Sequence, residues 1–121
     1  MLDVSGNGII CVNRGDSFTL DVFVNIGTNL VPLQYYLTEN DKIYFALMEP
    51  NQPFEHALLG KVFTSEDCDE EGNVVMTFTS QETQYLMPGT YYYMVKLVRN
   101  FDTEDELVDT IIKKTKFVIM D

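Results

Sequence analysis

Apolar and polar residues alternate with a period of two through most of this chain, and no stretch carries the period of a helix of ten residues. The clearest run is SFTLDVFV at 17–24, with Phe18, Leu20, Val22 and Val24 on one face and Ser17, Thr19, Asp21 and Phe23 on the other. Phe23 is the exception, an aromatic on the polar face. The apolar run IICV at 9–12 precedes it, and KIYFALM at 42–48 follows, setting Ile43, Phe45 and Leu47 against Tyr44, Ala46 and Met48. ALLGKVFTS at 57–65 reads as a strand with a bulge at Gly60. VVMTFTS at 74–80 puts Val74, Met76 and Phe78 on one side. TIIKKTKFVIM at 110–120 carries Ile111, Phe117 and Ile119 inward, with Lys114 and Lys116 wetting its other face.

The connections are rich in turn formers. The 25–41 segment is a long loop with room for one short strand around LQYYL, and EPNQPFEH at 49–56 holds two prolines that no central ladder accepts. EDCDEEGN at 66–73 and RNFDTEDELVD at 99–109 are acidic loops, while QETQYLMPG at 81–89 is long enough for one helical turn or a bent crossover. About seven antiparallel strands without a helix between them predict an all-β sandwich or small barrel. At 121 residues the chain is expected to form a single domain spanning 1–121. Its opening methionine and its close after a strand suggest a complete protein.

The stretch PGTYYYMVKLV at 88–98 bears on function most directly. Alternation sends Tyr91, Tyr93, Val95 and Leu97 into the core and turns Tyr92 outward, where a large ring pairs across strands or joins a protein interface. Pro88 and Gly89 read as a type II turn delivering the chain into this strand, and either Tyr85 or Tyr91 is placed to bond the corner's backbone.

Charge narrows the partners. Nineteen acidic residues against eight basic ones give a net charge of −11, which repels phosphate backbones and excludes nucleic acid as an expected partner. No run of apolar residues is long enough for a membrane span, and MLDVSGNG is not a signal peptide. The acidic runs Glu66–Glu71 and Asp102–Asp109 are solvated loops first and candidates for weak calcium binding second, because neither fits a preorganised calcium loop. Cys11 lies among apolar neighbours and reads as a buried thiol. Cys68 reads as exposed, with nearby carboxylates disfavouring its thiolate. The single histidine, His56, has no nucleophile motif around it, so neither an enzyme nor a cofactor is expected.

Three blocks, NRGDSFTLDVFV, GNVVMTFTSQETQYLMPGTYYYMVKLV and the closing strand, resemble a family of phage and prophage tail or baseplate accessory proteins. The matching positions are Arg14, Gly15, Asp16 and Ser17, then Gly72, Val74, Met76, Phe78, Thr83, Leu86, Pro88, Gly89, Tyr91, Tyr93, Val95 and Leu97, and finally Phe117 and Ile119. Lys116 departs from the glycine common before the last aromatic. The resemblance implies an immunoglobulin-like β-sandwich acting as a structural module of a virion, located there or in the bacterial cytoplasm before assembly. Its partners would be other tail or baseplate proteins or further copies of itself. They would be met by β-augmentation at strand edges or through outward apolar residues such as Tyr92 and Phe23. The alternative is an adhesion or carbohydrate-binding module using Tyr35, Tyr36 and Tyr44 as an aromatic platform. The RGD tripeptide at 14–16 is expected to be a turn rather than an adhesive loop.

Overall fold

The computed structural model describes residues 2–4, 8–28 and 30–121. Strands β1 (Leu2–Val4), β2 (Ile10–Asn13), β3 (Phe18–Val22), β4 (Lys42–Met48), β5 (Leu59–Phe63), β6 (Val74–Phe78), β7 (Gly89–Arg99) and β8 (Leu107–Met120) are joined by turns, single 3-10 turns, a long connection between β3 and β4 and a five-residue helix, α1 (Ser80–Gln84), between β6 and β7. They build a six-stranded sheet in the order β1-β2-β8-β7-β4-β5 and a two-stranded sheet of β3 and β6. The fold is thus largely β, with two sheets in a sandwich-like arrangement.

Period-two alternation does what the sequence leads one to expect. Val74, Met76 and Phe78 of β6, Tyr91, Tyr93, Val95 and Leu97 of β7, and Phe117 and Ile119 of β8 are all buried between the sheets. Six aromatic rings knit the two layers. Phe18 stacks on Phe78 at 4.6 Å, and Phe78 meets the edge of Phe45 at 4.7 Å, which in turn stacks on Tyr93 at 5.7 Å. Phe63 and Phe117 close the cluster. Offset and edge-on pairs of this kind add to burial the attraction between ring edges and faces.

Several expectations need correction. Pairing is not antiparallel throughout: β2 runs parallel to β8, with Ile10 opposite Phe117 and Val12 opposite Ile119. Among the described residues of the 25–41 connection there is no strand, only an isolated bridge between Asn25 and Gln34. Gly60 is no bulge, since β4 and β5 keep one register from Ile43–Phe63 to Leu47–Leu59. The irregularities lie between β7 and β8, where the register shifts between Tyr93 and Val95 and again between Val95 and Lys96. Two extra residues on β8 break its alternation there, so Ile111 and Ile112 are both half-buried against the core. Gly89 has φ of +154°, not the roughly +80° of a type II turn, and it opens β7 directly.

The outer face of the six-stranded sheet is also partly covered. Ala46 and Met48 point away from the core side of β4 yet are 3% and 0% exposed. The segment after β4 folds back over them. Its one-turn 3-10 helix, Phe54–His56, sets the Phe54 ring 4.4 Å from Lys96 Nζ, and Lys114 Nζ donates to the Gln52 carbonyl at 3.2 Å.

Candidate protein-contact surfaces

The residues expected to make contacts occupy separate places. Tyr92 is half-buried on the outer face of β7, opposite Met48 on one side and Lys116 on the other, with Lys114 Nζ 5.5 Å from its ring centre. Lysines flank it, so it is no open aromatic platform. Phe23 follows β3 directly, is 48% exposed, and borders a small cleft of about 200 Å³ with Leu20, Met76 and Ile112.

Tyr35 does internal work. Its hydroxyl donates to Asp41 Oδ2 at 2.6 Å, and Arg99 stands 5.4 Å from its ring. Burial, then the hydrogen bond and negative charge of Asp41, push the Tyr35 hydroxyl up to about 12. Asp41 is 1% exposed and also accepts from the Thr38 N–H at 2.8 Å, the Thr38 hydroxyl at 3.1 Å and the Asn100 N–H at 3.1 Å. Burial opposes its charge, but these donors together outweigh it and hold the carboxyl below its ordinary range. One carboxylate thereby ties the long 25–41 connection to the β7–β8 hairpin, and the Phe101 N–H to Asn40 carbonyl bond at 2.8 Å reinforces the joint.

Tyr36 is 62% exposed, with its ring lying on the backbone of Gly72. A Cβ on Gly72 would stand 2.5 Å from two Tyr36 ring carbons, and Gln34 Nε2 donates to the Glu71 carbonyl at 2.7 Å beside it. The expected platform of Tyr35, Tyr36 and Tyr44 does not assemble. Tyr35 packs against the core between the sheets, whereas Tyr44 lies on the outer face of β4 near Phe54.

The acidic loops use their carboxylates as caps. Asp67 accepts from the Thr64 N–H at 2.9 Å, Asp69 from the Glu71 and Asn73 N–H groups at 2.9 and 3.0 Å, and Glu106 from the Asp102 N–H at 2.9 Å. Among the described residues, no group of three or more histidines, cysteines or carboxylates is arranged to hold a metal ion. Cys68, expected to be exposed, is half-buried and packs against the core, and burial followed by Asp67 and Asp69 raises its thiol. Cys11 is half-buried rather than fully buried. His56 is exposed in its turn. The RGD segment is a turn, as expected: Gly15 has φ of +85°, and Arg14 Nε donates to the Gln84 carbonyl at 2.9 Å. The buried Thr83 hydroxyl donates to the Asp16 carbonyl at 2.9 Å.

Two apolar surfaces escaped the sequence reading. One is the tip of the 25–36 loop, with Leu30 94% and Val31 72% exposed. It is held in shape by Asn25 Oδ1, which accepts from the Gly27 and Leu33 N–H groups at 2.8 and 3.0 Å, and by the Thr28 hydroxyl, which accepts from the Val31 N–H at 2.9 Å. The other is a cleft of about 590 Å³ at the opposite end of β6. Glu49, Leu58 and Leu59 form one wall, the 79–87 crossover forms the other, and Tyr91 lies at the base. Here Leu86 turns into the core, which leaves Tyr85 87% and Met87 68% exposed. Tyr91, not Tyr85, makes the corner bond, donating to the Met87 carbonyl at 2.6 Å.

Among the described residues, no helix is long and apolar enough to cross a membrane. Compared with known proteins, the chain matches no family model, no curated sequence and no solved structure.

Proposed function

We propose that this chain is a non-enzymatic assembly module of a phage or prophage tail or baseplate, built as an immunoglobulin-like sandwich and working through protein–protein contacts. The strand order supports the fold assignment. β8-β7-β4-β5 in one sheet and β3-β6 in the other correspond to the G-F-C-C′ and B-E strands of a variable-type immunoglobulin sandwich. The Tyr91 hydroxyl bonded four residues back, at the corner between β6 and β7, is placed like that architecture's tyrosine corner. The family-like residues take the parts such a fold needs. Thr83 ties the crossover to the RGD turn, Leu86 enters the core, and Tyr91 closes the corner.

The observation that carries the contact function is the apolar cleft of Leu58, Tyr85 and Met87, whose exposed side chains find no cover among the described residues. An adhesive or sugar-binding reading is weaker, because the candidate tyrosines are spread over two sides of the sheet. The test is mass spectrometry and antibody labelling on tail particles purified after prophage induction in the source strain. A fixed number of copies of this chain per particle, at one position along the tail, is the expected result. Its absence from intact particles overturns the assignment.

A further inference from the structure

We infer that the cleft between the β4–β5 connection and the 79–87 crossover is the docking site for an extended, lysine- or arginine-bearing apolar segment of a different protein. The inference rests on the contact function proposed above and specifies its site and partner chemistry.

Three features carry it. First, the site is built and held. The Thr79 hydroxyl accepts from the Glu82 N–H at 3.3 Å, Glu82 returns the bond to the Thr79 N–H at 2.8 Å, and Lys61 grips Glu82 at 2.9 Å. Thr83 pins the same helix to the RGD turn. These bonds hold the crossover that carries Tyr85 and Met87 without a partner's help, and a preorganised surface loses little entropy on binding.

Second, the lining is mixed in the way that contact sites are. Leu58, Tyr85 and Met87 are 51%, 87% and 68% exposed beside the less exposed Leu59, Leu86 and Tyr91. The aromatic and the methionine are residue types enriched where proteins meet. A volume of about 590 Å³ takes side chains from one strand-like segment rather than a whole domain face.

Third, the charge chooses the occupant. Among the described residues, two cations reach the crossover: Lys61 is engaged by Glu82 and the Thr77 carbonyl, and Arg14 Nε donates to the Gln84 carbonyl. The Glu49 carboxylate on the rim is exposed and makes no ion pair with any described residue. The chain as a whole carries −11. A second copy would bring the same negative charge to the contact, whereas a basic segment would be drawn to it and would pair with Glu49.

The probe is the hexapeptide KLKIKL, with its acidic counterpart ELEIEL as control, titrated into the isotope-labelled chain and followed by amide NMR shifts. KLKIKL is expected to move the signals of Leu58, Tyr85 and Met87, and ELEIEL to leave them in place. The double variant Leu58→Ser with Met87→Ser keeps the net charge and changes two exposed side chains, so retained signal dispersion is expected to report an intact fold. It should weaken KLKIKL by about tenfold or more, as loss of central apolar anchors does. Glu49→Gln should weaken it by about threefold, the scale of a rim charge.

Equal binding of KLKIKL to the double variant overturns the inference, since attraction would then be to bulk charge. Binding of ELEIEL in the cleft, shifts confined to the 30–33 tip, or no response at millimolar peptide overturn it as well. Broadening of the cleft signals with protein concentration alone would assign the site to a second copy instead. If the chain is present in tail particles and KLKIKL fails, the cleft inference falls alone. If KLKIKL docks and the chain is absent from particles, the phage assignment falls and the cleft stands.

Discussion

Removing the Asp41 carboxylate should unfasten the long connection from the hairpin, and the size of the effect follows from its partners. Asp41 is 1% exposed and accepts four hydrogen bonds, three on Oδ2 and one on Oδ1. Asp41→Ala leaves the Thr38 and Asn100 N–H groups and the Tyr35 hydroxyl without their acceptor. Each bond to a charged acceptor contributes about 1.5–3 kcal/mol, but the burial cost of the charge is also removed, so a net loss of about 4 kcal/mol is expected. Asp41→Asn retains one oxygen and turns an NH2 donor towards either the Oδ2 donors or the Asn100 N–H. A loss of about 3 kcal/mol is expected there, near 10 °C in Tm for a domain of this size.

Urea unfolding gives the free energies, and alkaline absorbance of tyrosine gives a second readout at Tyr35 itself. Burial, then the bond and charge of Asp41, push Tyr35 up to about 12 in the native chain, and in Asp41→Asn, where the burial remains and the charge is gone, its ionisation should fall below that value. The pH dependence has two signs. The Asp41 carboxyl lies below its unfolded value when folded, so its contribution is present above the ordinary carboxylate range and is lost as pH falls through the folded value. Tyr35 lies above its unfolded value, so its contribution is complete below pH 10 and is lost as pH rises towards 12. A loss below 1 kcal/mol in Asp41→Asn, together with an unmoved Tyr35 titration, would refute the reasoning.

Two more predictions follow from the same geometry. Gly72→Ala should cost about 2 kcal/mol in urea unfolding, because φ of +87° is poor for alanine and the new Cβ would meet the Tyr36 ring at 2.5 Å. Adding Tyr36→Ala should recover the steric part and leave the backbone part, and a double variant no better than the single one would contradict the contact. Tyr91→Phe should lose about 1 kcal/mol with the corner bond to Met87, whereas Tyr85→Phe, at an 87% exposed position, should lose nothing measurable; equal losses would place the corner on the wrong tyrosine.

How far the sequence reveals this fold depends on whether the deciding contact is local. Alternation in β3, β6 and β7 assigns the core face residue by residue, because in a strand each side chain's face follows from its neighbour's. The parallel pairing of β2 with β8 has no local trace, since it joins Ile10 to Phe117 across almost the whole chain. Burial of Ala46 and Met48 is equally silent: KIYFALM looks like a strand with one face in water until the 49–58 segment folds over it. The cleft was hidden in QYLMPG, where three large residues compete for the core. Only the helix geometry of α1 and the corner bond of Tyr91 decide that Leu86 enters while Tyr85 and Met87 remain outside.

The edge strand β5 adds the last constraint on how this module can meet a partner. Lys61 lies opposite Phe45 and so points inward, beneath the edge of the larger sheet. Its ammonium sits 4.8 Å from the Phe78 ring, reaches the Thr77 carbonyl of β6 and pairs with Glu82. The lysine thus bridges the two sheets at a side where the ladder ends. An inward charge on an edge strand also opposes strand addition, because a second strand docking there would have to displace the ammonium from its acceptors or bury it without them. β-Augmentation at β5, one of the two contact modes expected from the sequence, is therefore disfavoured by the same residue that closes the sandwich. What remains open nearby is side-chain recognition, and Glu82, anchored by that lysine, holds in place the crossover that presents Tyr85 and Met87.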